Sequence, residues 1–197
     1  MNKLSKDFST VTLVLIPVAI GINIAVGQLI YALKIPLYLD SIGTVLVGVL
    51  AGPWAGALTG LLSLMIWGLS GLNPAYTPFA GVAAIIGLLA GLFAESGWMR
   101  VWWKVLLAGL ITGLVAAAVS APIAAYVFGG VTGSGTDVVV AMFRGMGLNI
   151  LPASFAQGVS SDPLDKAASF LIVWLILQAL PLRFVARFPR AESAKPS

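Results

Sequence analysis

Cysteine and histidine are both absent from the 197-residue chain, and charged side chains make up only 9% of it. Without cysteine there is no disulfide framework and no thiolate nucleophile. Without histidine there is no imidazole proton relay and no Ser-His-Asp triad, and with neither there is no ordinary zinc site. A soluble domain carries roughly 25% charged residues. The shortage therefore excludes an ordinary water-soluble enzyme, a disordered regulator and a nucleic-acid-binding domain. No glycine-rich loop ends in Gly-Lys-Ser/Thr, so the chain has no phosphate loop with which to hydrolyse ATP by itself. Lys+Arg number 11 against 7 Asp+Glu, but the basic residues gather at the chain ends and in one loop and form no stripe for nucleic acid.

What is present is apolar: 59% of residues are hydrophobic and the mean hydropathy is +1.02. The pattern predicts an all-α integral membrane protein, a single membrane domain over 1–197 with six transmembrane helices. After a polar start the first apolar run covers about 11–33; it is too long for a signal peptide and has no clear cleavage site. Ile35-Pro36 ends it. The block that follows exceeds one span and breaks at Gly52-Pro53, giving spans at about 39–52 and 54–72. Further spans are expected at about 77–94, 105–128 and 167–185, with Pro122 kinking the fifth. Gly48, Gly52, Gly56 and Gly60 recur every fourth residue, a spacing that lets helix backbones approach closely.

Residues 137–158 are read as an extracellular amphipathic or re-entrant helix. Val139, Met142, Phe143, Met146 and Ile150 share one helical face and Arg144 lies opposite. An arginine at the centre of a span costs roughly 2.5–3.5 kcal/mol on insertion scales. With six spans and both termini cytoplasmic, Lys3, Lys6, Arg100, Lys104, Arg183, Arg187, Arg190 and Lys195 are inside. Only Lys34, Arg144 and Lys166 are outside. A seventh span would reverse the C-terminal basic residues. Tyr31, Tyr38, Tyr76 and Tyr126 then mark outer ends, and Trp54, Trp98, Trp102 and Trp103 inner ends.

Polar side chains collect on the predicted outer side. Asp40, Asn73, Tyr76, Asn149 and Gln157 come from different hairpins at similar depth, with Trp67, Leu39 and Phe79 as apolar walls. A few convergent polar groups in an apolar cleft is how small-molecule sites are built. Asn and Gln beside aromatic walls suit the edge of a flat heteroaromatic ring. Asn23 and Gln28 are expected to bond a neighbouring helix. Asp162-Pro163 with Asp165 reads as the N-cap region of the last helix, and Lys166 as a local ion pair beside it. The run from Gly133 to Asp137 is off by one residue from an intramembrane aspartyl protease motif and has no partner aspartate within a span.

Taken together, these features resemble the substrate-binding S component of an energy-coupling factor (ECF) transporter, a prokaryotic uptake system for vitamins and other micronutrients. The residues that carry the resemblance are Leu39-Asp40-Ser41-Ile42-Gly43-Thr44, the hairpin Leu50-Ala51-Gly52-Pro53-Trp54-Ala55-Gly56-Ala57, Asn73-Pro74, Asp162-Pro163-Leu164-Asp165-Lys166 and Leu180-Pro181. The resemblance implies a non-enzymatic receptor in the cell membrane of a prokaryote that binds its small-molecule substrate from outside. It implies as partners a transmembrane coupling subunit and two cytoplasmic ATPases, with no cofactor on this chain because ATP is used by the partners. Docking in that family uses Ala-x-x-x-Ala on the first helix, for which this chain has Gly21-x-x-x-Ala25. The missing histidine sets it apart from members that take up nickel or cobalt. The rival reading is a stand-alone ion-coupled secondary transporter of a small solute. That would need ionisable groups near the bilayer midplane, and none falls inside the predicted spans.

Overall fold

The computed structural model describes residues 6–190, which are helical with no strand among them. Lys3 and Lys195 of the predicted charge asymmetry lie outside the described residues. In chain order the helices are α1 (Thr10–Ala32), α2 (Ile42–Ala51), α3 (Pro53–Leu69), α4 (Ala80–Glu95), α5 (Trp102–Phe128), α6 (Asp137–Gly145), α7 (Ile150–Ala179) and α8 (Leu182–Val185). Turns of 3-10 helix over Pro74–Phe79 and Trp98–Arg100 lead into α4 and α5. Three stretches, Thr10–Ala32, Pro74–Glu95 and Trp102–Phe128, are long and apolar enough to cross a membrane.

Each early helix starts and stops where the chain loses a donor or needs a special backbone angle. Ser9 caps α1 by accepting from the Thr12 N–H. Gly52, at φ +117°, turns α2 into α3, and Pro53 opens α3 where a missing N–H costs nothing. The buried Asp7 carboxylate sits beneath this turn, accepts from the Trp54 N–H and pairs with Arg190, which also pairs with Glu95. These contacts gather the start of the described chain, the α2–α3 turn, the end of α4 and Arg190 at one end of the bundle. The opposite end holds the loops 33–41 and 129–136 and the turn Pro74–Phe79.

Small residues bring the helices together. A Cβ on Gly56 or Gly48 would strike the Gly87 carbonyl, and one on Gly60 the Ala83 carbonyl. The fourfold glycine spacing is therefore the α2–α3 contact with α4. A second stripe, Gly109, Gly113 and Ala117, seats α5 against Ala167, Pro163 and Gly158 of α7. Asn23, fully buried in α1, locks three helices together: it donates to Thr44 Oγ1 and Ser63 Oγ, and its Oδ1 accepts from the Gly43 N–H. Ser41 makes no side-chain cap, so Asn23 satisfies the α2 N-terminus from a neighbouring helix.

The C-terminal third departs from expectation. One amphipathic helix over 137–158 and a separate span from 167 were predicted; instead α6 stops at Gly145 and α7 begins at Ile150. Gly147, at φ +93°, makes the break. The 30-residue α7 continues through Pro163 and ends at Ala179, where the extended Leu180 and Pro181 lead into α8. Asp162-Pro163 has the composition of a helix start, but here the proline lies in a helix interior held against α5. In the same way α5 runs unbroken through Pro122.

Candidate ligand cavity

The polar face of α7 builds the site. Ser154, Gln157, Ser161 and Asp165 follow one another at three- and four-residue steps, Asp162 and Lys166 stand beside the last two, and all six are buried. Asp165 Oδ1 accepts from the backbone N–H groups of Tyr38 and Leu39, at 2.8 Å each. Its Oδ2 lies 2.6 Å from Lys166 Nζ. The Lys166 ammonium also donates to Ser41 Oγ at 3.1 Å and Asp40 Oδ1 at 3.3 Å. All three of its protons are thus engaged within the protein. This grip holds the 33–41 loop on α7 and keeps Leu39 at φ +48°, a strained angle for a bulky side chain.

A second loop lies across the first. The Asp137 carboxylate accepts from the N–H groups of Thr132 and Gly133 and from the Thr132 hydroxyl. This shapes 129–136 at the entry to α6. Lys34 Nζ donates to the Gly133 carbonyl, and the Tyr38 hydroxyl meets Thr136 Oγ1 at 3.0 Å.

Beneath these loops is a cavity of about 840 Å³, its open mouth included. Tyr76, Phe79, Ile86 and Val140 supply apolar wall, while Asp40, Ser154, Gln157 and Asp162 bring polar atoms to it. Tyr76 is backed by Trp67, stacked at 4.0 Å between centroids and 12° between planes. Trp67 Nε1 donates to Gln28 Oε1, which fixes the indole and hence the phenol in front of it.

Of the predicted site residues, Asp40, Tyr76 and Gln157 line this cavity. Trp67 is fully buried behind Tyr76. Asn73 is buried at the entry to the Pro74–Phe79 turn, outside the lining, and its Nδ2 has no partner. Asn149 is exposed at the start of α7 and does not reach the cavity. Gly21 and Ala25 both lie exposed on α1, and a Cβ on Gly21 would meet nothing within 4 Å.

Tyr38, Ser154, Asp162 and Lys166 line the cavity without having been singled out for it. For the three on α7 the signal was the polar repeat along 154–166, which the Asp-Pro pair disguised as a helix start. Asp162, Asp165 and Lys166, which precede the predicted last span, are buried inside α7. No protein-family model, curated protein or solved structure matches the chain, so the cavity is interpreted from its own chemistry.

Proposed function

We propose that the chain is a membrane receptor for a small micronutrient, the S component of an ECF-type importer, working with a coupling subunit and two ATPases. The observation that carries this reading is the cavity itself. Aromatic wall and a few polar atoms converge on it from α7, the 33–41 loop, the Pro74–Phe79 turn and the 129–136 loop, and two loops cover it. Rigid aromatic surface with sparse, fixed polar groups favours a flat, polar ligand.

Six passes with both termini cytoplasmic follow from the basic asymmetry. The ten-residue α2 is only about 15 Å long, so in this topology the non-helical approach through 36–41 completes its crossing. The 30 residues of α7 extend about 45 Å against an apolar core of about 30 Å. Lys166 stands 13 residues from Ala179, about 20 Å along the helix. The cavity then falls in the outer third of the bilayer, open to the side from which an importer collects. Gly21 and Ala25, with open space before them, present a small-residue notch to the coupling subunit.

The ion-coupled carrier remains the second reading, and the buried Asp162, Asp165 and Lys166 favour it. Two measurements separate the readings. Mass spectrometry of the detergent-purified chain should find a co-purified small molecule. Uptake of that molecule into liposomes should require the partner subunits and ATP; concentrative uptake by this chain alone under an ion gradient overturns the receptor reading.

A further inference from the structure

The charges around the cavity do not balance. Among the described residues Lys166 is the only cationic side chain in its lining, and its three protons already serve Asp165, Ser41 and Asp40. It has no donor left for a ligand carboxylate. Asp165 is equally engaged, by two backbone N–H groups and the ammonium. Asp137 is taken up by the 132–134 backbone and hydroxyls.

Asp162 is different. It borders the cavity, is only 5% exposed, and among the described residues forms no ion pair: its hydrogen bond is a long 3.4 Å approach from the Ser161 hydroxyl, and the Lys166 ammonium acts on it only through space. A buried carboxylate with no cation in direct contact is costly. A second group nearby is also unsatisfied. Ser154 borders the same cavity, is 1% exposed, and its Oγ has no hydrogen-bond partner. Ser154 and Asp162 are eight residues apart on one helix face, about 12 Å along the axis. Tyr76 and Phe79 supply flat wall to the same space.

Resting on the receptor reading above, the geometry points to a ligand class: a flat organic cation of the amidinium or protonated amino-heterocycle type. Its positive end seats on Asp162, its ring lies against Tyr76 and Phe79, and a polar group further along meets Ser154. A charge-assisted bond to a desolvated carboxylate is roughly twice as strong as a neutral one, and the aromatic faces add attraction for the cation. Anionic ligands are rejected for the complementary reason: they would face the Asp162 carboxylate and an ammonium with no proton to offer.

Three probes that share one ring isolate the charge: benzamidine, benzamide and benzoate, titrated calorimetrically into the full chain in detergent at pH 7.5. Benzamidine is expected to bind at least tenfold tighter than benzamide, with benzoate weakest. Asp162→Asn should bring benzamidine down to the benzamide level. Ser154→Ala should weaken 4-aminobenzamidine, which adds a second polar group at the far end of the same ring, severalfold and leave the order of the three probes intact. Benzoate binding as well as benzamidine, or a cation preference that survives Asp162→Asn, overturns the assignment. The parent's ranking decides the matter even where Asp162→Asn does not fold. A co-purified anionic compound would overturn the ligand class while leaving the receptor reading in place; no heat from any probe, and no co-purified compound, would remove both.

Discussion

Removing the Asp165 carboxylate should release the 33–41 loop, because each of its oxygens does a different job. Oδ1 satisfies two backbone N–H groups at Tyr38 and Leu39, and Oδ2 faces the Lys166 ammonium. Asp165→Ala leaves two donors without an acceptor, at about 1–3 kcal/mol each where they stay buried. It also breaks a buried ion pair from one side, for which about 3–5 kcal/mol is typical. Asp40 still faces Lys166 at 3.3 Å and limits the second loss. The two effects share one site and do not add, so a total of about 3–5 kcal/mol is expected. Asp165→Asn keeps an oxygen for the two N–H groups but turns an amide donor toward the ammonium. It should therefore hold the loop while losing the ion pair.

Hydrogen exchange read by mass spectrometry separates the two jobs. If the grip contributes about 2–3 kcal/mol to local closure, the Tyr38 and Leu39 amides should exchange about thirty- to a hundredfold faster in Asp165→Ala. In Asp165→Asn they should remain protected although the melting temperature falls. Unchanged exchange in Asp165→Ala would refute the anchoring argument. Equal acceleration in both variants would show that the ion pair, and not the backbone grip, holds the loop.

Gly113→Leu should sharply reduce folded yield, since a side chain there meets the Pro163 Cα at 2.4 Å and the Asp162 carbonyl at 2.5 Å, whereas Gly21→Leu should leave melting and ligand binding unchanged and impair only partner-dependent uptake. Asn23→Ala should cost about 2 kcal/mol, read as a lower melting temperature, because it orphans the buried Gly43 N–H and removes the amide donor to the Thr44 and Ser63 oxygens. The cysteine-free background allows topology to be tested directly: Asn149→Cys should react with a membrane-impermeant maleimide in intact cells and Ser96→Cys only after permeabilisation, and the reverse pattern would invert the proposed orientation.

Five of the helices were legible because the chain punctuates them with residues whose backbone chemistry allows little choice. Pro36, Gly52-Pro53, Asn73-Pro74 and Gly129-Gly130 all fall at or near observed ends. The C-terminal boundary was misread for an equally physical reason. Asp-Pro favours a helix start because proline at the first position loses no hydrogen bond, but proline inside a helix is tolerated where a neighbour supports the interrupted backbone. Gly109, Gly113 and Ala117 of α5 create that support, and their fourfold spacing carried the information. Nothing local links that stripe to Pro163, fifty residues away from Gly113.

The site was harder to read because charge pairing is a tertiary property. Asp162, Asp165 and Lys166 look like a water-facing turn when hydropathy alone is weighed. They become a buried cluster only when the Tyr38 and Leu39 N–H groups, Asp40 and Ser41 are brought against them. Once paired in this way, Asp165 and Lys166 cancel each other and hold a loop, and neither needs to titrate or to touch a ligand. Asp162 is the carboxylate of this cluster that Lys166 does not touch, and its role divides the two functional readings. In a receptor it is a fixed counter-charge, so Asp162→Asn should weaken binding of a cationic ligand while ATP-driven uptake at saturating ligand persists. In an ion-coupled carrier the same carboxylate must gain and lose its ion in every cycle. There the variant should abolish concentration against a gradient and leave equilibrative exchange. Liposome uptake measured with and without the ATPase partners therefore assigns Asp162, and with it the kind of transporter to which the cavity belongs.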